Sequence, residues 1–131
     1  MEFLNEIQKL IEKRWNKLNT PLHMPAYALN PKWCVEREGR VAPIDDPEVK
    51  QGFIKAIQKM FTPKQATIIR EHFLDFAMFN DNTFSIAAKE DLLGMAQRNP
   101  SGWWRMYGDK APEIRTLAMR LLSQVASSLA A

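Results

Sequence analysis

Apolar residues recur at steps of three and four along almost the whole chain, and breaks that contain proline separate one such run from the next. In residues 2–18, Leu4, Ile7, Ile11, Trp15 and Leu18 form one stripe of an amphipathic helix. No segment alternates apolar and polar residues in the way a half-buried strand does. The pattern therefore predicts an all-α fold, a single compact helical bundle of about five main helices plus one or two short ones.

The breaks between these runs have the composition of helix starts. Three of them combine a capping residue with a proline in the first turn: Thr20 with Pro21, Asp45 or Asp46 with Pro47, and Thr62 with Pro63. Gln65, three residues after Thr62, completes a capping box. A fourth break precedes the two adjacent tryptophans, where Ser101 or Gly102 is expected to cap a single helical turn.

The sequence contains no internal repeat, and its segments are assigned to one domain. Residues 1–131 are interpreted as one helical domain, in which 32–47 form an irregular connection that Trp33, Val35 and Val41 could attach to the core. A helix that starts at Ser85 is expected to use these apolar positions: Ile86, Ala87, Leu92, Leu93 and Met95. The last helix is expected to run from about Pro112 to Ser127.

Composition limits the classes of protein that fit. The 131 residues have a formal charge of +3, 46% hydrophobic and 25% charged residues, and one cysteine, Cys34. A single cysteine excludes an intramolecular disulfide and a zinc site made of cysteines, and it favours a reducing compartment. The apolar runs are too short to cross a bilayer, and no stretch has the order of a signal peptide, so we expect a non-secreted protein with no membrane partner.

Residues with catalytic chemistry do not cluster in the sequence. His23 and His72 are interpreted as ordinary helix residues, and no phosphate-binding loop or nucleophile motif is present. The acidic pairs 45–46 and 90–91 are interpreted as caps or solvated helix edges, since neighbouring helix residues point apart. We therefore expect no catalytic, cofactor-binding or metal-binding residues, and no enzymatic activity.

The adjacent residues Trp103 and Trp104 are the most unusual feature of the composition. Because neighbours on a helix point in different directions, we expect one of them to pack inward and the other to be freer to contact a neighbouring molecule. Packing within the chain and a surface for a partner both remain open.

Two blocks of the sequence resemble plant hAT-superfamily transposases and their BED-finger relatives. The first block, Pro21-Leu22-His23 with residues 26–32, is similar to the family stretch PLHxAAYxLNPK, and Phe84 with 87–88 resembles the segment that follows it. The second block, from Trp103-Trp104 through 107–108, 112–114, 117–124 and 126–128, is similar to WWxxYG…PELxxLAxRILSQxxSS. The order and spacing of the blocks agree over about residues 10–128.

The resemblance implies a place in a larger protein. In such transposases a helical insertion interrupts a ribonuclease-H-like core, and this chain resembles the last part of that insertion, with 99–131 as the start of the dimerisation region. No position matches the family's catalytic glutamate, and the BED zinc finger has no counterpart, so no catalytic residue transfers. The resemblance implies a nuclear protein, with the cytoplasm as the alternative.

The leading hypothesis is a non-catalytic protein-interaction or dimerisation module derived from a hAT-like transposase, whose partner is another protein chain, either itself or a different protein. The expected interface consists of Trp103, Trp104, Leu117, Leu121 and Val125. The alternative is an accessory DNA-binding fragment, based on the net basic ends of the chain. Its candidate phosphate contacts are Arg98, Arg105, Arg115 and Arg120. The same charges are also compatible with ordinary solvent-exposed helix faces that bind no partner.

Overall fold

The computed structural model describes the backbone of residues 2–15, 22–34 and 41–130, and within these ranges the side chains from residue 6 to residue 123. The described residues form helices joined by short turns, with no strand among them, so the predicted all-α fold is confirmed. The α-helices are α1 (Glu2–Trp15), α2 (His23–Leu29), α3 (Pro47–Met60), α4 (Pro63–Met78), α5 (Ile86–Glu90), α6 (Met95–Arg98), α7 (Pro100–Tyr107) and α8 (Pro112–Ala130). Two 3₁₀ turns, Pro31–Cys34 and Pro43–Asp45, lie between α2 and α3.

Two of the predicted helix starts are confirmed by their hydrogen bonds. Asp46 caps α3, because its carboxylate accepts the backbone amides of Glu48 and Val49. At α4 the capping box is complete: the amide of Gln65 donates to Thr62 Oγ1 at 3.2 Å, and the amide of Thr62 donates to Gln65 Oε1 at 3.1 Å. The predicted cap at Thr20 and Pro21 lies outside the described residues.

The start of α7 differs from the prediction. Asn99, and not Ser101 or Gly102, is the capping residue, and its Oδ1 accepts the amide of Gly102 at 2.9 Å. Pro100 then occupies the first helical position, where its missing N–H costs no hydrogen bond. The helix therefore begins earlier than expected and extends over two turns of chain, from Pro100 to Tyr107.

The helix predicted after Ser85 is divided in two. Ser85 does cap α5, but α5 ends at Glu90 and a turn separates it from α6. A turn interrupts the helical period, so positions that share a face in one long helix point in different directions here. Of the apolar positions expected for this helix, Leu92 is buried, whereas Ile86 and Leu93 are each 71% exposed.

The connection over 32–47 is attached to the core at both described ends. Trp33 stacks on Tyr27 with 5.4 Å between ring centroids, and Pro43, the first residue of the second 3₁₀ turn, is buried. Val41 is 58% exposed, so its predicted role as an anchor was wrong. Val35 lies outside the described residues.

Helix α8 occupies the centre of the bundle and contacts α1, α2, α4 and α7. Helix α1 lies against α8 and α3 and buries Ile7, Ile11 and Trp15, while the predicted Leu4 and Leu18 are outside the described side chains. Helices α2 and α3 approach closely at Gly52, where a Cβ atom would lie 2.8 Å from Met24 Cβ. None of the helices in the described part of the chain is both long and apolar enough to span a bilayer.

Candidate interaction surface

Both tryptophans of the expected interface lie inside the bundle. Trp103 and Trp104 are 0% exposed, and their rings meet edge to face at 5.3 Å. The indole N–H of Trp103 donates to the carbonyl of Ala88 at 2.9 Å, and that of Trp104 donates to the carbonyl of Leu29 at 2.6 Å. The expectation that one of the two faces outward was wrong, because a different helix covers each ring: α5 lies at Trp103 and α2 at Trp104.

The indole groups complete the ends of short helices. In a longer helix the carbonyl of Leu29 would accept the amide of Trp33, but that amide donates to Asn30 instead. The indole N–H of Trp104 therefore replaces the missing backbone donor at the end of α2. The indole N–H of Trp103 does the same for the carbonyl of Ala88 in α5. A buried carbonyl without a partner costs free energy, so these two residues have a structural role that explains their burial.

Leu117 and Leu121 are also buried, at 3% and 1% exposure. They line a narrow apolar cleft between α2, α3 and α8, together with Leu22 and Phe61. Side chains at this level of burial have almost no solvent-accessible surface that another chain could contact. Leu117 and Leu121 therefore belong to the core and not to the expected interface. Val125, the fifth residue of that interface, lies outside the described side chains.

Two of the four candidate phosphate-binding arginines are exposed. Arg98 and Arg105 lie at the surface, and their guanidinium groups form no hydrogen bond or ion pair with the described residues. Arg115 is partly buried, and its guanidinium donates to the carbonyls of Trp104 at 3.3 Å and Arg105 at 3.2 Å. Arg115 therefore joins α8 to the end of α7.

Arg120 connects the first and last helices. Its Nε lies 2.7 Å from a carboxylate oxygen of Glu12, and its guanidinium stacks over the ring of Trp15 at 4.3 Å from the centroid. The predicted phosphate contact at this position would have to compete with both interactions.

Large apolar side chains at the surface were not identified as a site from the sequence. Six of them within the described residues are more than half exposed: Val41 at 58%, Leu74 at 53%, Met78 at 70%, Ile86 at 71%, Leu93 at 71% and Met106 at 60%. One signal for two of them was present in the sequence. Leu74 and Met78 are one turn apart on α4 but lie outside its buried stripe, so they form an apolar pair on the outer side of this helix.

A groove lies between α4 and the segment that precedes α3. It is shallow and is lined by Ala28, Cys34, residues 42–44, Phe73, Phe76 and Ala77. Leu74 and Met78 are not among its lining residues, and Val41 directly precedes the lining residue Ala42 in the sequence. We call this groove the α4 groove.

The thiol of Cys34 is a polarisable group in the wall of the α4 groove. Burial raises its pKa from 9.0 to about 12, because a desolvated thiolate is disfavoured. The thiol is therefore protonated at neutral pH and acts as a small apolar group, not as a nucleophile.

One hydrogen bond between ionisable side chains joins α7 to the end of α5. The hydroxyl of Tyr107 donates to the carboxylate of Asp91, and this bond raises the pKa of Tyr107 above its ordinary value. Asp91 is thus engaged as a structural acceptor at the end of α5.

The histidines do not gather into a metal site. Among the described residues no group of three or more His, Cys, Asp and Glu side chains could hold a metal ion. Two buried polar atoms, His72 Nδ1 and Glu113 Oε2, lack a hydrogen-bond partner in the described part of the chain.

Comparison with protein-family models, with curated proteins and with solved structures finds no match for this chain.

Proposed function

We propose that this chain is a non-catalytic protein-interaction module derived from a hAT-like transposase, which associates with a second copy of itself or with a different protein. The observation that supports the proposal is the exposure of six large apolar side chains in the described part of a small domain. Single exposed apolar residues are common on protein surfaces, whereas contiguous apolar patches are typical of interaction sites.

Two of these six residues are neighbours. Leu74 and Met78 lie one turn apart on the outer side of α4, so a partner could remove both side chains from water together. Each square ångström of apolar surface buried in this way favours association by about 25 cal/mol before the entropic costs of binding. The resemblance of 99–131 to a dimerisation region supports the same class of function and an action in the nucleus.

Sedimentation velocity over a wide range of protein concentration tests self-association. We expect the weight-average mass to rise with concentration, and to rise less in a variant that combines Leu74→Gln, Met78→Gln, Ile86→Gln and Leu93→Gln. These side chains are exposed in the single chain, so the four changes should leave the fold intact.

A pull-down from plant nuclear extract tests association with a different protein. Wild type should retain proteins that the same fourfold variant does not retain. A chain that stays monomeric at every concentration, and whose captured proteins are identical for wild type and variant, would contradict the proposed function.

DNA binding is the second candidate function, and the free guanidinium groups of Arg98 and Arg105 favour it. Affinity for a duplex should fall steeply as salt is raised, because phosphate contacts release counterions. Arg98→Ala with Arg105→Ala should reduce both the affinity and the salt slope, whereas Lys64→Ala, an exposed cation on α4, serves as the control. Absence of binding at low salt would exclude this function for the isolated chain.

A further inference from the structure

The first helix packs on elements that are distant from it in the sequence. Helix α1 makes extensive contacts with α8 and α3, whereas α2, the next helix of the described chain, is not among its extensive contacts. Its apolar stripe of Ile7, Ile11 and Trp15 is buried there. Within this chain, residues 16–21 connect α1 to the helices that follow. The attachment of α1 to the bundle is therefore an interface with α8 and α3, separate from its covalent link.

The polar contacts of α1 join the same three helices. A carboxylate oxygen of Glu12 lies 2.7 Å from Nε of Arg120 on α8, and the guanidinium of Arg120 stacks over the ring of Trp15 at 4.3 Å from its centroid. Arg14 donates to the carbonyl of Met60, the last residue of α3, at 2.5 Å. Helices α8 and α3 thus match both the charges and the apolar stripe of α1, and this match does not depend on which chain supplies α1.

We propose that two copies of this chain exchange α1, so that α1 of each copy packs on α8 and α3 of the other. Glu12 of one copy then pairs with Arg120 of the second copy, and the same pair forms in the opposite direction. The contacts that α1 makes within one chain are all formed again, so the exchange gives up no apolar burial. The proposal goes beyond the proposed function, because it uses the buried face of α1 and none of the exposed apolar side chains.

The concentration at which the exchange occurs follows from the covalent link. A link of six residues spans at most about 20–22 Å, and a short flexible link holds its two ends together at an effective concentration of about millimolar. Helix α1 of a second copy competes with the chain's own α1 only as the protein concentration approaches this value. Local opening of α1, or refolding at high concentration, makes the interface on α8 and α3 accessible to the second copy.

Reversed charges test the exchange directly. Glu12→Arg in one chain and Arg120→Glu in another each place like charges at this contact when α1 packs on its own chain. An exchanged dimer of the two variants has opposite charges at both contacts. After the variants are refolded together at about 0.1 mM, sedimentation velocity should show about tenfold more dimer than for either variant alone. Both variants keep a net positive charge, since the wild-type chain carries +3, so they gain no overall attraction.

Two controls accompany the mixture. A chain with both Glu12→Arg and Arg120→Glu restores opposite charges within one chain, and it should sediment as wild type does at the same concentration. Both side chains are partly exposed, so circular dichroism should give the wild-type helix content for all three variants. The mixture is then repeated with the fourfold glutamine changes of the proposed function added to both chains. These changes should leave the amount of dimer within about twofold, because α1 does not use those side chains.

Two results would overturn the proposal: a mixture that stays monomeric, or a dimer that disappears when the fourfold glutamine changes are added. Either result, together with wild-type association that depends on the exposed apolar side chains, would support the proposed function without the exchange. A dimer that forms only in the mixture and persists with the glutamine changes would support the exchange, whatever the exposed side chains bind. The two proposals therefore fail independently.

Discussion

The indole groups of Trp103 and Trp104 each supply a hydrogen bond that no neighbouring backbone amide supplies. Replacing Trp104 by phenylalanine keeps an aromatic ring but leaves the buried carbonyl of Leu29 without its donor. We expect Trp104→Phe and Trp103→Phe each to lower the free energy of unfolding by about 2–3 kcal/mol, the cost of an unsatisfied buried group plus a small cavity. Urea denaturation measures this loss. A change below about 0.5 kcal/mol would show that the indole N–H groups have no structural role.

The pKa of Cys34 has a direct consequence for its reactivity. The thiol should react with a disulfide reagent at pH 8 more than about a hundredfold more slowly in the folded chain than in denaturant, because only the thiolate reacts. Because Cys34 is the only cysteine, the absorbance of the thiol that the reagent releases measures the reaction at this site alone. Equal rates in the folded and unfolded states would contradict the buried position.

The same group makes stability depend on pH in a defined direction. The folded pKa of about 12 lies above the ordinary 9.0, so the folded state holds the proton more tightly than the unfolded state. The stability from this difference is fully present below pH 9 and is lost as the pH rises towards 12. Wild type should therefore lose stability relative to Cys34→Ala over this range, and parallel curves for the two proteins would contradict the shift.

Among the helices, the start of α4 is set by hydrogen bonds between residues close in sequence. Thr62→Ala removes the hydroxyl that accepts the amide of Gln65, and should lower the free energy of unfolding by about 1 kcal/mol. Thr67→Ala on the same helix removes a hydroxyl that donates to the carbonyl of Pro63, which is an exposed bond of little net value. Thermal or urea unfolding of the two variants should therefore differ, and equal losses would show that the capping box does not stabilise α4.

The capping residues also explain how much of the fold could be predicted from the sequence. A capping side chain and the backbone amides that donate to it lie within three residues of each other, so Thr62 was identified correctly, and Asp46 was one of the two residues offered for the cap of α3. The start of α7 was placed too late, because the Asn99 side chain reaches forward over Pro100 in a way that composition alone does not distinguish from a Ser101 cap.

The candidate site was less predictable because exposure depends on contacts between distant elements. Ile86 and Leu93 match a helical period in sequence, but the turn after α5 rotates them into solvent. Trp103 and Trp104 are adjacent, yet both are buried, since segments 15 and 75 residues away in sequence cover them. The α4 groove likewise has walls from either side of α3, which no local pattern brings together.

For the whole molecule, the attachment of α1 is the contact that closes the bundle from its first helix to its last. Arg120 on α8 pairs with Glu12 and stacks on Trp15, and Arg14 donates to the carbonyl of Met60 at 2.5 Å. Among the described elements, helix α1 makes extensive contacts only with α8 and α3. These polar interactions and its apolar stripe therefore hold it in place. Local opening of α1 should therefore require less free energy than opening of α4 or α8.

Hydrogen exchange on an Arg120→Met variant tests this attachment. Methionine keeps much of the volume of the side chain but removes the ion pair and the cation–π contact, which together are worth about 1 kcal/mol at an exposed site. Amides in 6–15 should then exchange about fivefold faster, while those of α4 keep their rates, because only the opening of α1 becomes easier. Arg70→Met, which removes one exposed hydrogen bond on α4, should leave the exchange of α1 unchanged. If Arg120→Met accelerates exchange equally throughout the molecule, α1 opens only when the whole bundle unfolds, and its first and last helices form one cooperative unit.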